Sequence, residues 1–80
     1  MTIVMRDGRA FQGTAVQIVQ AMQRIAFGVD QLSLSDYIDW VAANALKFEA
    51  VVLKVDGATG DEKAAALVAE MIAHGLCAKG

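Results

Sequence analysis

The residues with the most chemical potential lie near the C-terminus, where Glu70, His74 and Cys77 follow one another at intervals of four and three. A nucleophilic cysteine needs an adjacent base and a group that orients that base. Glu70 and His74 can pair along a helix, but Gly75 is expected to end that helix before Cys77. Because the spacing fixes no contact between His74 and Cys77, we predict that the protein is not an enzyme.

Two acidic patterns could also carry chemistry. Asp36 and Asp39 are spaced as paired catalytic carboxylates can be, but they begin a predicted helix, where the helix dipole favours negative charge. The loop from Asp56 to Asp61 has only fragments of a calcium loop, and it lacks the Gly-Lys-Ser/Thr of a phosphate-binding loop. One cysteine and one histidine cannot build a multi-cysteine zinc site. We therefore predict no catalytic residue, no cofactor and no metal.

The composition is that of a small folded domain. The residues are 56% hydrophobic and 20% charged, whereas disordered chains combine low hydrophobicity with high charge. Eighty residues make one domain over 1–80, and a domain of this size buries only about 60% of its unfolded surface. Such an apolar excess is often covered by a protein partner or by a second copy of the chain.

The charge distribution argues against nucleic acid as a partner. Residues 31–62 hold two lysines against six Asp or Glu, a net charge of −4, and nucleic-acid binding needs a clustered basic surface. No apolar run reaches the roughly 18 residues of a membrane span, and the N-terminus lacks the basic and apolar regions of a signal peptide. We therefore expect a cytoplasmic protein with no nucleic-acid or membrane partner.

Hydrophobic periodicity predicts an α+β fold with three helices packed on a small sheet, in the order β-β-α-α-β-α. The pair Asp7-Gly8 favours a two-residue hairpin turn, which would place Met5 opposite Ala10. The predicted elements are the N-terminal hairpin, helices at 15–27, 34–47 and about 61–74, and a strand at about 51–55. Residues 76–79 could add a final strand. The strand order and the buried face of the hairpin stay open.

The ends of the helices carry recognisable signals. Thr14 with Gln17 forms a capping box before the first helix, and Ser33 caps the second. Phe48 is expected to continue the inward stripe of the second helix. The core is expected to contain the apolar residues that share one face of each helix, namely Ile18, Val19, Met22, Ile25, Ile38, Val41, Ala45, Leu67, Val68 and Met71.

Two large aromatic residues lie off the main apolar faces of their helices. Phe27 is nine positions from Ile18, or about half a turn at roughly 100° per residue, and the favoured interpretation is that it folds back onto the core. Trp40 lies with Asn44 and Lys47 on the flank of its helix, either covered by the sheet or free to contact a partner. In the second case, Phe27, Trp40, Asn44 and Lys47 form a candidate interaction surface.

The sequence therefore predicts a small non-enzymatic protein-interaction or adaptor module that pairs with itself or with another protein. The alternative is a small nucleic-acid-binding regulator that uses the helix pair at 15–47 as a helix-turn-helix. Its motivation is that Arg6, Arg9 and Arg24 all lie in the first 24 residues. Against it, Asp36 and Asp39 would face the phosphates.

Overall fold

The computed structural model describes all residues from 1 to 80 and confirms the α+β class. The elements in chain order are β1 (Thr2–Met5), β2 (Ala10–Gln12), α1 (Ala15–Ile25), α2 (Leu34–Glu49), α3 (Gly60–Ala73) and β3 (Cys77–Lys79). The final strand that residues 76–79 could add is therefore present. None of the three helices has both the length and the apolar character that crossing a membrane requires.

The sheet is antiparallel throughout, in the order β2-β1-β3. Ile3 and Met5 share its inner face with their cross-strand partners Phe11 and Cys77. Ile3 and Cys77 are buried, and Met5 and Phe11 pack against the same core. The inner face of the hairpin is therefore the one that carries Ile3.

The predicted register of the hairpin is wrong by one residue. Val4, not Met5, lies opposite Ala10. The Met5 amide donates to the Arg9 carbonyl at 2.7 Å, so three residues, not two, form the loop. Gly8 has a φ of +92° at the end of that loop, as a three-residue hairpin loop requires. The Asp-Gly pair thus predicted the hairpin correctly but not the length of its turn.

Side-chain caps begin the helices where the sequence predicts. The Thr14 hydroxyl accepts from the Gln17 amide at 3.2 Å, while the Gln17 side chain accepts from the Thr14 amide at 2.9 Å. The Ser33 hydroxyl accepts from the Asp36 amide at the start of α2. These bonds satisfy amide groups that have no partner within the first turn, and both predicted caps are confirmed.

The predicted strand at 51–55 is absent. This segment is extended and alternates as expected, with Leu53 buried and its neighbours less so, but it forms no ladder. Both sides of β1 are already occupied by β2 and β3. The Lys54 amide instead donates to Oε1 of Glu70 at 2.8 Å. A side chain of α3 thus takes the place of a neighbouring strand.

The buried apolar residues form one cluster, centred on α3, which packs against both α1 and α2. Most of the predicted core is confirmed, but Ile25 is exposed and Val41 is only partly buried. Six further buried residues complete the core: Tyr37 on α2, Ala64 on α3, and, outside the helices, Ile3, Val29, Leu53 and Cys77.

One polar contact sets α2 against α3. The Lys63 ammonium donates to the Ser35 hydroxyl at 2.7 Å and to Asp39 Oδ1 at 2.8 Å. The Lys63 side chain is largely buried, whereas Asp39 is more exposed. Three hydrogen-bond donors on one ammonium let Lys63 hold two successive turns of α2. The contact fixes the rotation of α2 and therefore which side chains it turns outward.

The bond from Lys54 to Glu70 can be tested by amide hydrogen exchange. In Glu70→Ala we expect the Lys54 amide to exchange about tenfold faster, because hydrogen bonds to a charged acceptor contribute about 1.5 kcal/mol or more. Glu70→Gln retains a side-chain oxygen and should keep most of the protection. Equal exchange of the Lys54 amide in all three proteins would contradict this account of the 51–55 segment.

Candidate functional site

An apolar groove opens between α2 and the turn that joins β1 to β2. Its volume is about 470 Å³, and a smaller cavity of about 230 Å³ shares four of its lining residues. The lining residues come from the end of β1, the turn between β1 and β2, all three helices and the residue before β3. They are Met5, Arg6, Asp7, Met22, Tyr37, Trp40, Val41, Asn44, Ala45, Phe48, Glu49, Met71 and Leu76. Most of these residues are hydrophobic, so the groove is an apolar surface that the domain itself does not cover.

Successive turns of α2 form one wall of the groove. The Trp40 ring stacks on Tyr37, with ring centroids 5.8 Å apart, and 40% of Trp40 remains exposed. The Asn44 side chain donates to the Trp40 carbonyl at 2.8 Å. The Lys47 ammonium lies 5.3 Å from the centre of the Phe48 ring, within the range of a cation–π contact. Trp40 is thus anchored on one side and open on the other.

Phe48 does not continue the inward stripe as expected, because 71% of it is exposed. Its helical position differs from that of Tyr37 by eleven residues, or only about 20° around the axis. Tyr37 is buried at that angle near the start of α2, whereas the last turn of α2 has no neighbour there that covers Phe48. Phe48 instead lines the open groove. The periodicity gave its direction but could not show that nothing covers it.

A phenol group lies on the floor of the groove. Tyr37 is 2% exposed, and its hydroxyl makes no hydrogen bond within the chain. No side-chain polar atom that is sealed from solvent lacks a partner, so solvent must reach this hydroxyl. Tyr37 lines both cavities. Burial raises the pKa of Tyr37 to about 12, because the charged phenolate loses hydration there.

Arg6 closes one end of the groove. Its Nε donates to the Gly75 carbonyl at 3.1 Å, and its Nη1 lies 3.6 Å from Oε2 of Glu49. The Arg6 side chain therefore joins the hairpin turn to the ends of α2 and α3. Both partners of the ion pair are more than half exposed, so its charges remain available to a molecule that docks at this end.

The predicted surface residues divide between two places. Trp40 and Asn44 line the groove, and Lys47 lies over the Phe48 ring beside it. Phe27 lines neither cavity and is fully exposed. The expectation that Phe27 folds back onto the core is therefore wrong.

The connection between α1 and α2 explains the position of Phe27. The buried Gln23 side chain donates to the carbonyls of Val29 and Leu32 at 2.9 and 2.8 Å. Gly28 has a φ of +80° and turns the chain so that Val29 is buried. Val29, and not Phe27, therefore packs in the core at this turn.

The residues with nucleophilic or basic chemistry do not converge. His74 Nε2 lies 3.8 Å from Glu70 Oε1 along α3. Cys77 is buried on the inner face of the sheet, and burial raises the pKa of its thiol. The thiolate, which is the reactive form, is therefore disfavoured. No hydrogen bond joins His74 to Cys77, and no cluster of three or more metal-ligating side chains occurs.

The acidic patterns have structural partners of their own. Asp39 is bound to Lys63, whereas Asp36 is exposed at the start of α2, so the two carboxylates do not act as a pair. In the loop before α3, the Ala58 amide donates to Glu62 Oε2 at 2.8 Å. That carboxylate occupies the position where a phosphate would approach the loop.

No protein-family model, no curated protein and no solved structure matches this chain. The function is therefore inferred from the groove, the exposed aromatic residues and the charges around them.

The burial of Tyr37 can be tested by titration, since it is the only tyrosine. Absorbance at 295 nm should give a midpoint near pH 12 in the folded protein and near the ordinary value of 10.0 in denaturant. Because the folded pKa is raised, the free energy of unfolding should be unaffected below pH 10 and fall between pH 10 and 12.

Tyr37→Phe is the matched control, and the part of the pH dependence due to this group should disappear in it. A midpoint near 10 in the folded protein would show that Tyr37 is solvated and not part of the groove floor.

Proposed function

We propose that this protein is a non-enzymatic protein-interaction module that binds its partner through the groove and the exposed side of α2. The observation that carries the proposal is that Trp40 and Phe48 stand exposed at the edge of an apolar groove. Large aromatic side chains beside a pocket are typical of the residues that dominate binding energy in protein interfaces. A small domain that leaves both uncovered gains most by placing them against another protein.

The chemistry of the groove suits the side chains of another protein. Three of the four methionines, Met5, Met22 and Met71, line it. Methionine is unbranched and polarizable, so it adapts to partners of different shape. The charged residues, Arg6, Asp7 and Glu49, belong to the hairpin turn and the end of α2, so they lie at the rim. An apolar centre with a charged rim is the usual anatomy of a protein interface.

The shape of the groove also favours a protein segment over a small molecule. Small-molecule sites bury about 70–90% of their ligand in a concave pocket. Here one wall is an α-helix whose Phe48 is mostly exposed, so a ligand would stay open along that side. A helix or loop that lies along α2 could cover Trp40 and Phe48 together. The unpartnered Tyr37 hydroxyl offers such a segment one hydrogen bond at the floor.

The alternative function, a nucleic-acid regulator built on residues 15–47, has no observation that favours it. Of its three arginines, Arg6 is bonded to Gly75 and close to Glu49, and Arg9 is 3.1 Å from Asp7. Arg24 makes no ion pair, but one unpaired arginine is not the clustered basic surface that nucleic-acid binding needs. This alternative therefore remains a prediction from the sequence alone.

Site-specific photo-crosslinking tests the proposed function. A benzoylphenylalanine at position 44 lies on the groove wall, and the same residue at position 69 is the control, because Ala69 is exposed on α3 and lines neither the groove nor the smaller cavity. In the cells that produce the protein, we expect position 44 to give one discrete adduct and position 69 to give none. The mass of the adduct identifies the partner as a second copy or a different protein.

A second substitution ties the adduct to the groove. Adding Phe48→Ala should reduce crosslinking from position 44 by about tenfold, because it removes one exposed aromatic contact. It should change stability by only about 0.5 kcal/mol, as exposed substitutions do. Equal crosslinking from positions 44 and 69, or none from either, would overturn the proposed function.

A further inference from the structure

We infer that the partner is a second copy of this chain, paired through α2 in an antiparallel arrangement in which Asp36 of each copy contacts Lys47 of the other. This inference rests on the proposed function, because the same side of α2 carries Trp40. It adds the identity, direction and register of the partner. It follows from the spacing of four side chains along α2 and from the charges that the chain leaves unpaired.

Four exposed residues lie in one line along α2, namely Asp36, Trp40, Ala43 and Lys47. Together with the half-buried Asn44 beside them, they form what we call the α2 ridge. Asp36 and Lys47 are eleven residues apart, which is three turns and about 16 Å along the axis. At about 100° per residue, the exposed four fall within roughly 60° around the helix. They can therefore contact one neighbouring helix at the same time.

The charges at the two ends of the ridge have no partner within the chain. Asp39 is bound to Lys63, but the carboxylate of Asp36 makes no ion pair. The ammonium of Lys47 contacts only the Phe48 ring. The ridge thus presents a free negative charge at its N-terminal end and a free positive charge at its C-terminal end.

The order of the residues is self-complementary when the helix is reversed. In an antiparallel pair centred between residues 41 and 42, position 36 lies opposite position 47, and position 40 lies opposite position 43. Asp36 then faces Lys47 twice, and Trp40 faces Ala43 twice. Such a twofold interface uses the same patch on both copies.

The sizes of the opposed side chains are complementary in this register, as their charges are. Ala43 leaves a shallow space for the Trp40 ring of the other copy, and small residues at a helix contact allow axes to approach to about 8–10 Å. Asp39 would lie opposite Asn44, so no like charges meet. A parallel pair would instead place Asp36 against Asp36 and Lys47 against Lys47, which opposes binding. The charges therefore select the antiparallel arrangement.

The interface is small, so the dimer should be weak. Stable complexes bury about 1,200–2,000 Å² in total, and one helix from each copy supplies less. We therefore expect a dissociation constant in roughly the micromolar range. Exposed ion pairs are screened by salt, so the dimer should weaken as ionic strength rises.

Charge reversal tests the inference in a way that partner binding alone does not. Sedimentation velocity of the unchanged protein should show a mass rising from 8.5 kDa to twice that value as concentration increases. Asp36→Lys and Lys47→Asp should each raise the dissociation constant about tenfold or more, because each replaces two attractions by two repulsions. An equimolar mixture of the two variants should restore association, since every opposed pair in the mixed dimer is again of opposite sign.

The controls separate charge effects from folding. Asp36→Lys also removes a favourable charge from the first turn of α2, so melting temperatures are recorded for every variant. Asp61→Lys makes the same change in the first turn of α3, outside the ridge, and should leave the dissociation constant unchanged. Because neither variant in the mixture is altered by mixing, restored association cannot come from a difference in stability.

Two results would overturn the inference. One is an unchanged protein that stays at 8.5 kDa at several hundred micromolar. The other is a mixture that associates no better than either variant alone. In either case, an adduct to a different protein from position 44 would leave the proposed function intact, whereas the absence of any adduct would end both.

Discussion

The buried face of α3 is the surface on which the rest of the structure depends. Ala64, Leu67, Val68 and Met71 are almost fully buried, and α1 and α2 both pack against this helix. Ala64 is small, so a neighbouring helix can approach closely at that turn. The strand β3 follows α3 after a turn at Gly75 and pairs with β1. One helix thus joins the helical layer to the sheet.

Because α2 packs against α3, the position of α3 also determines which side of α2 stays uncovered. Lys63 holds the first turns of α2 against α3 through Ser35 and Asp39, and Glu70 holds the extended segment at Lys54. None of the six elements lies over the remaining side of α2. The aromatic side chains on that side are therefore left at a groove that the domain forms but does not fill. The proposed function rests on this uncovered groove and on the aromatic side chains at its edge.

Local chemistry in the sequence predicted the fold better than it predicted the site. Thr14 and Ser33 could be identified as caps because capping depends on residues three positions apart. The segment 51–55 alternates in burial but forms no strand, because alternation reports only which side chains are buried, whereas pairing depends on a neighbouring strand that is distant in the sequence. Phe48 lies on the predicted stripe of α2 but is exposed, since its burial depends on which element covers it. Periodicity therefore predicts the direction of a side chain and leaves its neighbours undetermined.

The most direct test of the account is the substitution Trp40→Ala, with unfolding by denaturant and self-association by sedimentation equilibrium measured on the same protein. Trp40 is partly exposed and stacks on Tyr37, so we expect the free energy of unfolding to fall by only about 1–2 kcal/mol. The dissociation constant should rise by about thirtyfold or more, as for the loss of an interface anchor. A loss of about 3–5 kcal/mol, typical of a buried aromatic, with an unchanged dissociation constant would show that Trp40 belongs to the core and not to a contact surface.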